Sequence, residues 1–93
     1  MTDTEIEKIV SEILRRHLKQ FGFQGAEVHS EIDFDGSPII RVRALYSDEN
    51  APTGAITRSL HDIRNELLDR GEERFVVLEG QYLGAKAVDE DVD

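Results

Sequence analysis

Residues 26–46 read AEVHSEIDFDGSPIIRVRALY, and the periodicity of this stretch decides the fold class. Ala26, Val28, Ile32 and Phe34 alternate with Glu27, His29, Glu31 and Asp33, the period-two pattern of a strand with one buried and one wet face. A second strand follows over about Ile39 to Tyr46, where Ile40, Val42, Ala44 and Tyr46 alternate with Arg41 and Arg43. Asp35-Gly36-Ser37-Pro38 between them is turn chemistry. A bare two-residue turn at Asp35-Gly36 would pair Ile32 with Ile39 and Glu31 with Ile40, setting each apolar face against its partner's polar one. A one-residue slip flips every side chain, so the loop should hold three or five residues or carry a bulge. The registers considered put Glu31 opposite Arg41, or Glu31 opposite Arg43 with Asp33 opposite Arg41. In both, acids of one strand meet arginines of the next.

On the N-terminal side of this hairpin, Ile6, Ile9, Val10, Ile13, Leu14, Leu18 and Phe21 recur at spacings of three and four. That is the apolar stripe of an amphipathic helix. Thr2-x-x-Glu5 and Thr4-x-x-Glu7 both fit a capping box, Arg15, Arg16 and Lys19 suit the negative end of the helix dipole, and Gly22 offers a left-handed stop. On the C-terminal side, the polar link from Ser47 to Thr53 holds Pro52 and leads into a second stripe: Ala55, Ile56, Leu60, Ile63, Leu67 and Leu68. Thr53 or Asn50 could cap this helix, and Arg70-Gly71 reads as its end. Phe75 to Leu78 is an apolar run too short for a helix, hence a buried strand, which Gln81-Tyr82-Leu83 either extends past Gly80 or leaves as a short returning edge.

The expected fold is therefore α+β, of order α-β-β-α-β, with two helices on one face of a three-stranded antiparallel or mixed sheet. Carrying the chain from the second strand back past the first gives strand order 3-1-2, with 1-2-3 as the alternative. Residues 1–88 form one domain in this reading, and 89–93 form an acidic disordered tail (Asp89, Glu90, Asp91 and Asp93).

Composition narrows the function. The chain has 93 residues and no cysteine, which rules out disulfides, thiol nucleophiles and thiolate metal sites. Its formal charge of −9 opposes binding to nucleic-acid phosphates or anionic membranes and would steer in a cationic protein. No apolar run approaches the length of a membrane helix, and the acidic start lacks the features of a secretory signal. Cytoplasmic residence is the expectation.

Few residues offer chemistry. Glu27, His29, Glu31 and Asp33 share one strand face, but along an open strand opposite Arg41 and Arg43 they read as a solvated, ion-paired surface rather than as converging metal ligands. His17 and His61 read as helix-boundary residues. His61 stands two residues from Ser59 and one from Asp62, and residues so spaced do not face each other on a helix, so the hydrogen-bonded chain of a hydrolytic triad is not expected. Glu72-Glu73 falls in a turn without catalytic context. Gly22-Phe23-Gln24-Gly25 matches the GxxG of RNA-binding KH domains in form, but it joins a helix to a strand and carries no basic residue.

The leading expectation is a small acidic protein-interaction module, accessory, antitoxin-like or immunity-like, with neither catalysis nor cofactor. Its contact residues would be Glu27, His29, Glu31, Asp33, Arg41 and Arg43. The alternatives are a KH-like nucleic-acid binder using Arg15, Arg16 and Lys19, or a homo-oligomeric structural or ligand-binding protein that pairs the open sheet face or an edge strand.

Overall fold

The computed structural model describes residues 1–48 and 53–83, so the acidic tail and Asn50 and Pro52 of the link lie outside the described residues. The elements are α1 (Asp3–Leu18), a short 3-10 turn (Lys19–Phe21), β1 (Phe23–Ile32), β2 (Pro38–Tyr46), α2 (Thr53–Asp69) and β3 (Phe75–Tyr82). This is the expected α-β-β-α-β order, an α+β fold with a mixed sheet.

Helix α1 starts where its capping chemistry places it. The Glu5 amide donates to the Thr2 hydroxyl at 3.1 Å, and the Thr2 amide donates to the Glu5 carboxylate at 2.8 Å. Those bonds hold the Glu5 carboxyl below its usual value, the one from the Thr2 backbone most of all. Replacing Thr2 by alanine removes one half of this pair and should lower stability by about 1 kcal/mol, read as a shift in urea midpoint with an unchanged slope. A shift within error would show that the helix end is held by tertiary contacts alone. At the other end Gly22 adopts φ 75°, and a Cβ there would run into the Ser47 hydroxyl. The backbone closes around this corner, with the Ser47 and Asp48 amides donating to the carbonyls of Gly22 and Phe21.

β1 and β2 pair antiparallel with Glu27 opposite Arg43, Val28 opposite Val42, His29 opposite Arg41 and Ile32 opposite Pro38. Five residues, Asp33 to Ser37, connect them. Within this loop the Asp33 amide donates to the Ser37 carbonyl at 2.7 Å, leaving Phe34-Asp35-Gly36 at the tip. An odd loop is what the facing rule demands, and acids do meet arginines, but the register lies two residues from the nearer of those expected. The reason is that β1 ends earlier than its alternation implies. Asp33 turns the chain, its carboxylate accepts the Phe34 amide, and Phe34 is 98% exposed rather than a core residue. The irregularity in the ladder falls at the far end, between Phe23 and Gly25.

Strand order is the main correction to the leading expectation. The sheet runs β1-β2-β3, with β3 parallel to β2 from Ile39–Phe75 to Tyr46–Tyr82. α1 occupies the layer above β1, so α2 packs beside it and over β3. A helix of 17 residues spans about 25 Å, close to the length of β2. It returns the chain to the level where β2 began, and β3 adds there. β3 also continues through Gly80 to Tyr82.

The core lies between the helices and the inner sheet face: Ile6, Val10, Leu14 and Leu18 of α1, Ile63 and Leu67 of α2, Ile40, Val42 and Ala44 of β2, and Val76 of β3. Leu68, read from sequence as part of the α2 stripe, is 60% exposed, while Ser59 is buried and donates to the Ala55 carbonyl at 2.7 Å. The stripe is rotated so that its centre runs through Ala55, Ser59, Ile63 and Leu67.

Candidate interaction face

Among the described residues no helix lies on the outer face of the sheet. Antiparallel and parallel pairing together set its residues in rows across the three strands. One row is Glu31–Ile39–Phe75, the next His29–Arg41–Val77, then Glu27–Arg43–Glu79, and last Gly25–Leu45–Gln81.

The two central arginines each reach to both sides. Arg41 donates from Nε to Glu31 at 2.8 Å and from Nη1 to Glu79 at 3.0 Å. Arg43 donates from Nη1 to Glu27 at 3.2 Å, with its Nε 3.7 Å from the other oxygen of Glu79. The hydrogen bond from Arg41 to Glu31 raises the guanidinium pKa further above its ordinary value. All five side chains are partly exposed, so each pair contributes little to folding. Their effect is positional: a network of shared partners holds each guanidinium at a defined place on the face.

Sequence reasoning named four of these five residues. Glu27, Glu31, Arg41 and Arg43 come together as expected, and His29 stands opposite Arg41. Asp33 does not join them, because it belongs to the turn. Glu79 was missed, since only the β2–β3 pairing brings it beside Arg41 and Arg43, and its own strand gives no sign of its neighbour.

Apolar residues punctuate the same face. Ile39 is 3% exposed yet stands apart from the core cluster, Leu45 and Val77 are half-buried, and Phe75 is 58% exposed. Arg64 of α2 donates to the Val76 carbonyl at 2.8 Å and lies 4.3 Å from the centre of the Phe75 ring. That cation–π contact orients the ring at the β3 edge.

A second polar cluster sits at the α2–β3 corner. Gly71 takes φ 93°, its amide donates to the Leu68 carbonyl, and the Glu72 amide donates to the Leu67 carbonyl, a Schellman ending. This delivers Glu72 inward, where its side chain is 8% exposed. It accepts from Arg74 through Nε, Nη2 and the backbone amide at 2.8–3.1 Å, and the Met1 amino group lies 3.7 Å away. Arg74 continues to the Ser30 hydroxyl, which donates to Asp3. The Arg74 side-chain bonds, working against burial, pull the Glu72 carboxyl to about 2. The pair Glu72-Glu73 gave no sign of this: Arg74 stands only two residues on, but it is the fold that turns the two side chains together and adds Met1, Ser30 and Asp3 around them.

His17 Nε2 lies 2.7 Å from the Asp62 carboxylate and joins α1 to α2, which holds Asp62 below its usual value. With Ser59 facing the core and Asp62 tied to His17, no triad assembles with His61. Between α1 and α2 an open groove of about 380 Å³ is walled by Glu12, Arg16, Asp62, Asn65 and Asp69. Among the described residues no three acidic or histidine side chains cluster as metal ligands. The GxxG stretch runs from the 3-10 cap straight into β1, with Arg15 lying 5.9 Å from the Phe23 ring centre. No described helix is long and apolar enough to cross a membrane.

No family model and no curated protein matches this chain. Among solved structures it is similar to the metal-bound C-terminal domain of the CzcD transporter from Cuprividus metallidurans, with 14% identity and a TM-score of 0.41 over 75% of this chain and 93% of that one. At that score nothing about this chain's chemistry follows from the likeness.

Proposed function

We propose that this chain is a small, non-catalytic interaction module that engages a basic protein partner through the outer face of its sheet. The observation that carries the reading is that both helices cover the same side, leaving opposite it a face whose charged side chains are held in fixed rows by mutual ion pairs. An enzyme needs converging polar groups in an enclosed site. Here the polar groups of the face are paired with one another on an open surface. The formal charge of −9 favours encounter with a cationic surface and repels phosphate polymers.

The test is an affinity capture from native lysate at physiological salt, with nuclease added, using the wild-type chain and a Glu27→Gln, Glu31→Gln, Glu79→Gln variant. The expected result is one stoichiometric protein that the wild type retains and the variant loses. The variant should keep its circular dichroism spectrum, because exposed ion pairs contribute at most about 1 kcal/mol each. A partner held equally by both forms would move the interface elsewhere, and recovery of the bait alone would remove the reading.

A further inference from the structure

β3 lies at the rim of the sheet, and the alternation of its backbone says which polar groups it leaves open. In a strand the N–H and C=O of one residue point to the same side, and successive residues point to opposite sides. The Leu83 amide donates to the Tyr46 carbonyl of β2 at 2.8 Å. The odd-numbered residues of β3 therefore bond β2, while the amides and carbonyls of Val76, Leu78, Gly80 and Tyr82 point away from the sheet. Such a row is a template for another strand. The sequence sharpens the hazard, because Phe75-Val76-Val77-Leu78 has high β propensity and holds no charge, proline or glycine.

One side chain interrupts the row. Arg64 of α2 donates from Nη2 to the Val76 carbonyl at 2.8 Å, and its guanidinium carbon lies 4.3 Å from the centre of the Phe75 ring. Phe75 belongs to the outer face of the sheet whereas α2 packs on the inner one, so the Arg64 side chain wraps around the free edge. Its guanidinium stands where an added strand would have to lie. The Nε of Arg64 is buried and finds no acceptor among the described residues. A donor left unsatisfied in this way carries a cost that a side chain turned out to solvent would avoid. What the placement achieves is cover of the edge.

A second copy of this chain is the occupant that such cover turns away, because the uncovered edge is self-complementary. Two β3 edges paired antiparallel about a two-fold through Val77 set Val76 against Leu78, and Phe75 against Glu79, of the other copy. With the two-fold through Leu78, that residue meets its counterpart and Val76 meets Gly80. No like charges are directly opposed in either register, whereas a two-fold through Glu79 would oppose the two carboxylates. Both favourable registers need the Val76 carbonyl as an acceptor, and that is the carbonyl Arg64 occupies. The first would also leave the two Arg64 side chains about 7 Å apart along the joined edge, like charge near like charge. We propose that Arg64 is an edge guard: by capping the Val76 carbonyl and lying along Phe75, it keeps this chain from pairing β3 to β3 with a second copy. The inference is independent of the outer-face reading, since it concerns the rim of the sheet and not its face.

The experiment compares the full wild-type chain with Arg64→Met and Arg64→Gln. Methionine keeps most of the apolar stem and its packing. Glutamine adds no apolar surface and is too short to reach the Val76 carbonyl. Sedimentation equilibrium over a concentration series should give a monomer for the wild type and a concentration-dependent dimer for both variants. Amide hydrogen exchange, read residue by residue by NMR, locates the contact. In the wild type the outward amides of Val76 and Leu78 should exchange faster than those of Val77 and Glu79, which bond β2. In the associated variants the Val76 and Leu78 amides should slow by at least about tenfold. Variants that stay monomeric with the wild-type circular dichroism spectrum would overturn the inference. So would a wild type that dimerises with Val76 and Leu78 protected, or a monomeric wild type that protects all four amides alike. Association by Arg64→Met but not by Arg64→Gln would show that added apolar surface and not a lost guard is the cause. Association that leaves the Val76 and Leu78 amides exchanging as in the monomer would place the contact elsewhere, which equally sinks the proposal.

Discussion

Replacing Ile40 by alanine is expected to lower the unfolding free energy by about 3 kcal/mol. Ile40 is fully buried on the central strand, between Ser30 of β1 and Val76 of β3, with its side chain directed into the layer between sheet and helices. Truncation removes buried methyl and methylene groups and leaves a void that the three-stranded sheet, pinned by pairing on both sides, cannot collapse to fill. A domain of this size has about 5–14 kcal/mol in total, so the loss is a large fraction of what holds it together. In urea the midpoint should fall by roughly 2 M. Phe34→Ser, at the fully solvated tip of the β1–β2 loop, should stay within about 0.5 kcal/mol of wild type. A loss below about 1 kcal/mol for Ile40→Ala would mean that the packing around β2 is looser than the structure describes.

The second large effect belongs to Glu72. Converting it to glutamine keeps the shape and removes the charge that Arg74 grips through two guanidinium nitrogens and its backbone amide. The expected cost is about 2 kcal/mol, or a Tm lower by roughly 10 °C. The pH dependence gives a sharper reading. The folded state pulls this carboxyl from an ordinary 4.5 to about 2, with the Arg74 side-chain bond as the main cause. The ionised form is therefore the one the fold favours. Its contribution is complete above about pH 4.5 and drains away as the pH falls towards 2. Wild type should lose stability steadily over that window in urea titrations, and Glu72→Gln should lose distinctly less. Parallel pH profiles for the two proteins would show that the Glu72–Arg74 contact is solvated and carries no stability.

Which parts of this fold could be read from the sequence follows from how local their causes are. The α1 cap at Thr2 and the stop at Gly22 are written within a few residues of where they act, and both stand where the pattern places them. The parity of the β1–β2 loop follows from two short alternations and holds. Its register does not, because alternation continues through Asp33 and Phe34 even though the backbone has already turned. Strand order is less legible still. Phe75 to Leu78 announces a strand, though not a buried one, since β3 lies at the sheet edge with only Val76 buried and Phe75 exposed; it carries nothing to distinguish β1 from β2 as its neighbour, and the volume taken by α1 above β1 decides it. For the same reason Glu79 was invisible as a member of the charged face, since its arginines belong to β2. Glu72 has its partner Arg74 two residues on, and it is the turn at the end of α2 that carries the pair inward.

The parallel pairing of β2 with β3 also orders events in time. α1 and the β1–β2 hairpin join residues close along the chain, so little loop must be closed before their contacts form. Ile39 cannot meet Phe75 until the whole of α2 and its flanking links have been gathered in, an entropic cost met before any contact compensates for it. β3 is therefore the last strand to arrive during folding and the first to leave. Val76, buried where β3 joins β2, is a contact of this late kind, so Val76→Ala should quicken unfolding while leaving the refolding rate nearly unchanged. For this domain, persistence in the folded state is set at the corner where α2 hands the chain to β3.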